Sequence, residues 1–177
     1  MVAELVSEDV RRNYMSLLMP DFYMRSVTQI TPDFLKEQQI LALLLDVDNT
    51  LAVDKATAPP PEIIEWIEKM KRAGVQMRIV SNAKRWRIAG FAGMVQLPFS
   101  GLSCKPLPFQ MLRAVRALQL DGAQVALVGD QIFTDILGGR LCGVRTILVE
   151  PMMEESGRFF KIKRRLERRI KCKLKEY

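Results

Sequence analysis

The residues best suited to chemistry stand directly after an apolar run. Residues 40–45 contain no polar side chain, and Asp46 and Asp48 follow at once, one residue apart. Such a run is typical of a central parallel strand that is covered on both faces. Open parallel sheets bind their ligands beyond the carboxyl ends of the strands. Because a carboxylate can attack phosphorus and form an aspartyl-phosphate, Asp46 is a candidate nucleophile.

Three further polar groups follow later apolar runs in the same way. They are Ser81-Asn82, Lys105-Pro106, and Gly129-Asp130 with Asp135 five residues beyond Asp130. A phosphate ester also needs an acid that protonates the departing alkoxide and later accepts a proton from water. Asp48 is the candidate for this role, because alternate residues of an extended chain point to the same side.

Four carboxylates gathered around a phosphate would repel one another, so the predicted site requires cations. The four are Asp46, Asp48, Asp130 and Asp135. Mg²⁺ is the natural cation, because it prefers oxygen ligands and commonly binds one or two carboxylates together with substrate phosphate. A calcium loop of the EF-hand type is excluded, because Leu51 and Thr57 stand where that loop needs glycine and glutamate.

The chain contains no histidine. This absence excludes histidine acid–base catalysis, Ser-His-Asp triads and histidine-bound zinc. The cysteines, Cys104, Cys142 and Cys172, match neither a disulfide framework nor a zinc motif, so a reducing cytoplasm is the expected location. No apolar stretch approaches the roughly 20 residues that a membrane-spanning helix needs.

The elements that position these residues alternate between strands and helices. Strands are predicted at residues 40–45, 75–80, 99–103, 125–128 and 146–149, with helices between them. This alternation predicts an α/β fold, a doubly wound Rossmann-like parallel sheet of about five strands with helices on both faces. Residues 1–39 are predicted to be an accessory segment packed on the core and not a sheet element, and residues 40–157 the catalytic domain.

The order acid, hydroxyl, lysine and acid resembles the haloacid dehalogenase-like superfamily of aspartate-nucleophile phosphatases. The resemblance runs from about residue 40 to residue 151. Asp-Val-Asp-Asn-Thr-Leu and Gly-Asp-Gln-Ile-Phe-Thr-Asp-Ile-Leu-Gly-Gly are similar to subclass IIIA phosphatases of the YqeG type. Those proteins are in turn similar to the phosphatidylglycerophosphate phosphatases of mitochondria and plastids. Two positions depart from the expected pattern, Ala83 and the pair Arg140-Leu141.

The resemblance implies a role for each candidate residue. Lys105 would offset the charge of the phosphoryl oxygens and of Asp46. The residues implied to hold Mg²⁺ are Asp46, Asp48 through its backbone carbonyl, and Asp130, with Asp135 beside them. The residues implied to bind the phosphoryl group are Thr50, Ser81, Asn82 and Lys105.

The spacing of the motifs leaves no room for a cap domain over the site. Thirty residues separate Thr50 from Ser81, and 23 separate Ser81 from Lys105. Each interval holds about one helix, so we expect an open site. An open site suits a phosphate presented on something large, and by the resemblance the expected substrate is phosphatidylglycerophosphate, an anionic phospholipid. A nucleotide, sugar or protein phosphate is the alternative.

The net charge of +7 is concentrated at the C-terminus. Residues 158–177 carry ten Lys or Arg against two Glu, a net charge of +8, so the rest of the chain carries −1. Written as a helix, this segment has an apolar stripe opposite a basic face, which is typical of peripheral binding to a membrane surface. Docking of the stripe on the domain is one open alternative. Binding of RNA is another, and the protein would then be chiefly RNA- or ribosome-associated, with a secondary phosphatase activity. The sequence leaves the oligomeric state unknown.

Overall fold

The sheet at the centre of the molecule has six strands, all parallel. A computed structural model describes residues 16–153, 165–167, 170–172, 174 and 176. The sheet order is β1-β6-β5-β2-β3-β4, which places β2 and β5 at the centre. The strands are β1 (Phe22–Met24), β2 (Ala42–Leu45), β3 (Gln76–Val80), β4 (Phe99–Ser100), β5 (Val125–Gly129) and β6 (Arg145–Val149).

Helices connect the strands and cover both faces of the sheet. They are α1 (Pro32–Glu37), α2 (Pro61–Arg72), α3 (Arg85–Val95), α4 (Pro108–Leu118) and α5 (Leu137–Leu141), with a π-helical turn at Ile132–Ile136. Proline begins three of them because its fixed φ suits the first helical turn. The fold class predicted from the sequence, a doubly wound α/β sheet, is confirmed.

The side chains of β2 show how the two faces are used. Leu43 and Leu45 lie in the larger core cluster, which also contains side chains of α2 and α3. Ala42 and Leu44 lie in a second cluster with side chains of α4. Because both faces are buried, β2 needs an apolar residue at every position, which explains the unbroken run.

The prediction that residues 1–39 contribute no sheet element is wrong, because one of the six strands of the sheet lies there. Phe22–Met24 pairs with β6 at the edge of the sheet. Phe22 is buried, and its ring packs edge-on against Phe34 at 5.1 Å between centroids. A strand of three residues is too short for its alternation to stand out in a sequence.

Two elements differ in extent from the prediction. The third predicted strand, residues 99–103, is reduced to Phe99–Ser100, because Leu102 and Cys104 have positive φ angles of 53° and 52° and turn the chain out of the sheet. The helix predicted at residues 134–141 begins earlier, with the π-helical turn. Such wider turns occur often at functional sites.

The described part of the C-terminal segment packs on the domain. Ile170 is buried in a cluster with Ile132, Ile136 and Leu148. The buried carboxylate of Glu167 accepts a hydrogen bond from the backbone N–H of Ile132 at 2.9 Å. For these residues the structure shows the alternative in which the C-terminal segment docks on the domain. The rest of the predicted amphipathic helix, including residues 158–164, lies outside the described residues.

Among the helices of the described residues, none has the length and apolar character that crossing a bilayer requires.

Candidate active site

Neighbouring parallel strands bring the predicted residues to one edge of the sheet. Asp46 follows β2, Asp130 follows β5 and Ser81 follows β3, and these three strands are adjacent. Lys105 lies in the loop between β4 and α4. The carboxyl ends of parallel strands meet at the same edge, so residues far apart in sequence come together there.

Lys105 stands at the centre of the site. Its Nζ lies 2.7 Å from Asp46 Oδ1 and 2.6 Å from Asp135 Oδ1, and it donates a hydrogen bond to the carbonyl of Val80 at 3.0 Å. Burial alone would lower the pKa of Lys105, but the charges of Asp135 and Asp46 outweigh burial and raise this pKa. The ammonium group therefore stays protonated and holds both carboxylates in place.

Three buried carboxylates form a group that could hold a metal ion. Oxygen atoms of Asp46, Asp130 and Asp135 all lie within 4.8 Å of one another. Together with the ammonium group of Lys105, these side chains carry a net charge of −2. Burial raises the pKa of Asp46 to about 7, Lys105 opposes this rise, and the charge of Asp135 adds to it. A divalent cation with oxygen ligands matches both this charge and this chemistry.

Asp48 lies outside that group and faces a cation of its own. One oxygen of its carboxylate is ion-paired with the guanidinium group of Arg87 on α3, and the other accepts a hydrogen bond from the backbone N–H of Lys55 at 3.1 Å. Asn49 has a φ of 59°, so the chain leaves the extended conformation directly after Asp48. The extended backbone assumed for Asp46 and Asp48 therefore ends at this turn.

The residues predicted to bind phosphate are brought to the same edge with different local contacts. Ser81 is buried, and its hydroxyl accepts a hydrogen bond from the backbone N–H of Ala83 at 3.2 Å. The Asn82 side chain accepts from Lys105 N at 2.7 Å and donates to Lys105 O at 3.0 Å, so it fixes the backbone of the lysine. Thr50 is buried, and within the described residues its hydroxyl has no hydrogen-bond partner.

Arg87 was missed by sequence reasoning. It lies in the first turn of α3, five residues after Asn82, in a basic stretch with Lys84 and Arg85. Its guanidinium group also donates to the carbonyl of Ala56 at 3.4 Å, so it joins α3 to the loop that follows β2. The sequence signal, a cation close to Ser81-Asn82, does not distinguish Arg87 from Lys84 and Arg85.

Gly129 is required by the close approach of Asp135, which gives a testable prediction. A Cβ atom at residue 129 would lie 2.3 Å from Asp135 Cγ. We expect Gly129→Ala to lower the free energy of unfolding by about 1–3 kcal/mol, the usual cost of overpacking, and to displace the carboxylate from Lys105. Urea unfolding followed by circular dichroism measures the loss.

Gly90→Ala is the matched control, since a Cβ at this position of α3 meets no atom within 4 Å. Alanine is the better helix former by about 0.5–1 kcal/mol, so this variant should equal or exceed the wild type in stability. Equal stability of Gly129→Ala and the wild type would contradict the packing described here.

Comparisons with known proteins identify the family of this chain. A family model described as haloacid dehalogenase-like hydrolase matches residues 8–143. "Probable phosphatase YqeG" of Bacillus subtilis is 37% identical over 157 residues, which are 89% of this chain and 91% of that protein. The resemblance to the YqeG type is thereby confirmed.

Solved structures agree on the fold. An uncharacterized protein from Listeria monocytogenes superimposes with a TM-score of 0.53 at 17% identity, over 67% of this chain and 85% of that one. The cobalt-bound deoxy-D-mannose-octulosonate 8-phosphate phosphatase of Haemophilus influenzae gives 0.52 at 12% identity, over 76% and 89%. With more than half of its length matched by the family model and with this close relative, the chain belongs to the haloacid dehalogenase-like hydrolase family.

Proposed function

We propose that this protein is a Mg²⁺-dependent phosphomonoesterase that acts through an aspartyl-phosphate on Asp46. The observation that carries the proposal is the buried carboxylate of Asp46, held 2.7 Å from Lys105 Nζ at the carboxyl edge of the sheet. This position combines a nucleophile with the positive charge that phosphoryl transfer needs. The relative named as a probable phosphatase supports the same reaction class.

The chain's own residues divide the reaction into two steps. In the first, an oxygen of Asp46 forms a bond to phosphorus, the ester bond breaks, and the departing alkoxide takes a proton from Asp48. In the second, Asp48 takes a proton from a water molecule that attacks the same phosphorus, and the bond between the Asp46 oxygen and phosphorus breaks, which regenerates the Asp46 carboxylate and frees inorganic phosphate. Arg87 and the backbone N–H of Lys55 keep the Asp48 carboxyl group in place between the steps.

Asp46 and Asp130 would hold the Mg²⁺ ion, with the backbone carbonyl of Asp48. When bound, the ion supplies positive charge to the phosphoryl oxygens. Asp135 stands beside them, and its contacts bear on its role: one oxygen meets Lys105 Nζ, and the other accepts from the backbone N–H of Gln131 at 3.1 Å. Its part is therefore to orient Lys105 as well as to add charge to the metal site.

The Asp48 assignment gives a prediction with a matched control in the same loop. Asp48→Asn keeps the shape of the side chain but cannot exchange a proton, so kcat should fall by about 10²–10⁴-fold. Asp54→Asn removes an exposed carboxylate that lies 3.5 Å from Lys55 Nζ, and it should keep wild-type kcat. Steady-state rates with p-nitrophenyl phosphate make the comparison. A kcat within a factor of two of wild type for Asp48→Asn would remove it as the acid.

The proposed substrate is phosphatidylglycerophosphate, converted to phosphatidylglycerol and phosphate. One observation supports a phosphate carried by something large. The interval between Thr50 and Ser81 holds one described helix, α2, and the interval between Ser81 and Lys105 holds α3 and β4, so neither contains a cap domain. The choice of this lipid rests on the sequence resemblance of YqeG-type proteins to the phosphatidylglycerophosphate phosphatases of mitochondria and plastids. The Haemophilus relative, whose name gives a sugar phosphate, supports the soluble alternative.

A phosphate-release panel tests the proposal. The panel contains phosphatidylglycerophosphate in mixed micelles, nucleoside monophosphates, sugar phosphates and a phosphopeptide. We expect turnover with Mg²⁺, none after addition of EDTA, and the highest kcat/KM for the lipid. A clear preference for a soluble nucleotide would contradict the lipid substrate, and full activity in EDTA would contradict the metal requirement.

A further inference from the structure

We propose that the rim of the active site, formed by the loops and first helical turns that follow the strands, is a docking surface for an anionic lipid bilayer. This docking surface rests on the proposed function, because a bilayer bound at the rim would present its lipid phosphates to the carboxylates at the same edge. It differs from the membrane contact predicted from the sequence, which placed binding in the C-terminal segment.

The first observation is where the exposed apolar side chains lie. Twelve large apolar side chains of the described residues are exposed, and seven of them lie within nine residues after the last residue of a strand. Trp86 and Phe109 are 73% and 75% exposed, although residues of these types are usually buried. The seven are Val53, Trp86, Leu102, Leu107, Phe109, Met152 and Met153.

The second observation is that the segments carrying these side chains touch one another. The backbone N–H of Leu102 donates to the carbonyl of Ala83 at 3.1 Å, which joins the loop after β4 to the loop after β3. On the other side of the site, the backbone N–H of Met152 donates to the carbonyl of Asn49 at 3.0 Å. The segments that carry these side chains therefore lie at the edge of the sheet that also holds the carboxylates, and a group of exposed apolar side chains marks an interaction site.

The third observation is charge. Lys84 and Arg85 are exposed and stand directly before Trp86. Two carboxylates at this edge face cations of their own: Asp48 is ion-paired with Arg87, and Asp54 lies 3.5 Å from Lys55. The charge of −2 at the buried group around Lys105 is the charge that a divalent cation would offset. The rim thus combines exposed basic and aromatic side chains, the combination that binds at the headgroup region of anionic membranes.

A second copy of the chain fits this surface less well. A symmetric dimer places the same patch on both sides of the contact, so it would bring Lys84 and Arg85 of one copy toward those of the other. Anionic lipid headgroups, in contrast, complement these cations while the acyl region receives Trp86 and Phe109. The charge of the rim therefore favours the bilayer.

The chain offers its own reporter for the test. It contains two tryptophans: Trp66 is 5% exposed and donates to the carbonyl of Ile30 at 2.8 Å, whereas Trp86 stands on the rim. In Trp66→Phe, emission comes from Trp86 alone. With vesicles of phosphatidylglycerol and phosphatidylcholine we expect a blue shift and protection from acrylamide, both weaker with phosphatidylcholine alone. Should Trp66→Phe not fold, the acrylamide-accessible emission of the wild type reports the same residue.

Vesicle flotation of the full chain provides the second readout. Trp86→Ala and Phe109→Ala should each weaken partition about tenfold, the effect of withdrawing one large apolar side chain from the bilayer. Lys84→Gln with Arg85→Gln should weaken it about 25-fold at low salt. The matched controls, Leu41→Ala and Met94→Ala, remove exposed apolar side chains at the opposite edge of the sheet and should bind as the wild type does.

Three outcomes would overturn the docking surface. They are no flotation with anionic vesicles, flotation that leaves the emission and quenching of Trp86 unchanged, and a Trp86 shift that appears without vesicles as the protein concentration rises, which indicates contact between copies. Hydrolysis of p-nitrophenyl phosphate is measured separately on the same samples. Its absence would count against the phosphatase and leave the vesicle result standing, so the two failures are distinguishable.

Discussion

Asp46→Asn should abolish phosphatase turnover, with kcat reduced by roughly four orders of magnitude or more, as is usual when a covalent nucleophile is removed. An amide has nearly the shape of the carboxylate but cannot form an acyl phosphate. The measurement is phosphate release at saturating Mg²⁺, compared with the wild type. Asp33→Asn, an exposed acid at the start of α1, serves as control and should keep full activity.

The same variant should change how stability depends on pH. Burial raises the pKa of Asp46 from 3.8 to about 7 in the folded chain. Between these two values the folded state binds a proton that the unfolded state does not, so wild-type stability falls as the pH rises toward 7. In EDTA, Asp46→Asn should lack this part of the fall, which lies between about pH 4 and pH 7. Parallel pH profiles for the two proteins, measured by Tm, would contradict the burial of this charge.

Lys105→Met should cause the largest loss of stability among the site variants. The lysine lies between Asp46 and Asp135, and its side chain is 2% exposed. Removing one partner of a buried ion pair leaves the other charge uncompensated, which typically costs about 3–5 kcal/mol. Loss of its charge beside the phosphoryl oxygens should also lower kcat by about 10²–10³-fold.

Urea unfolding in EDTA at pH 8 measures this loss of stability. We expect the loss to shrink at pH 5, because Asp46 can then take up a proton and the buried negative charge decreases. Lys69→Met, an exposed substitution on α2, is the control and should stay within about 0.5 kcal/mol of the wild type. A Lys105→Met protein as stable as the control would mean that the lysine is not the cation that holds the site together.

The parts of the site that follow strands could be predicted from sequence. Asp46 and Asp130 end apolar runs that are buried on both faces, and in a parallel sheet this alone places them at one edge. Contacts between different loops could not be predicted. The Asp48–Arg87 ion pair and the hold of Asn82 on the Lys105 backbone join residues 39 and 23 positions apart, and no local pattern specifies such pairs.

The limits of the fold prediction have the same physical origin. β1 has three residues, and its place in the sheet depends on pairing with β6 near the other end of the chain. The described residues of the C-terminal segment form a similar long-range contact, since Lys171 Nζ lies 2.9 Å from Glu150 Oε2. A basic segment that its sequence predicts to be exposed can thus pack on the domain through contacts of Glu150 and Glu167 and through one buried isoleucine, Ile170.

Chemical trapping of the intermediate tests the central claim most directly. The enzyme is mixed with substrate and Mg²⁺, quenched in acid within a turnover, and treated with borohydride, which reduces an acyl phosphate to an alcohol. Peptide mass spectrometry should then find homoserine at residue 46 in the wild type and none in wild-type samples quenched before the substrate is added. Homoserine at residue 48 or 130, or steady turnover with no trapped residue, would contradict Asp46 as the nucleophile.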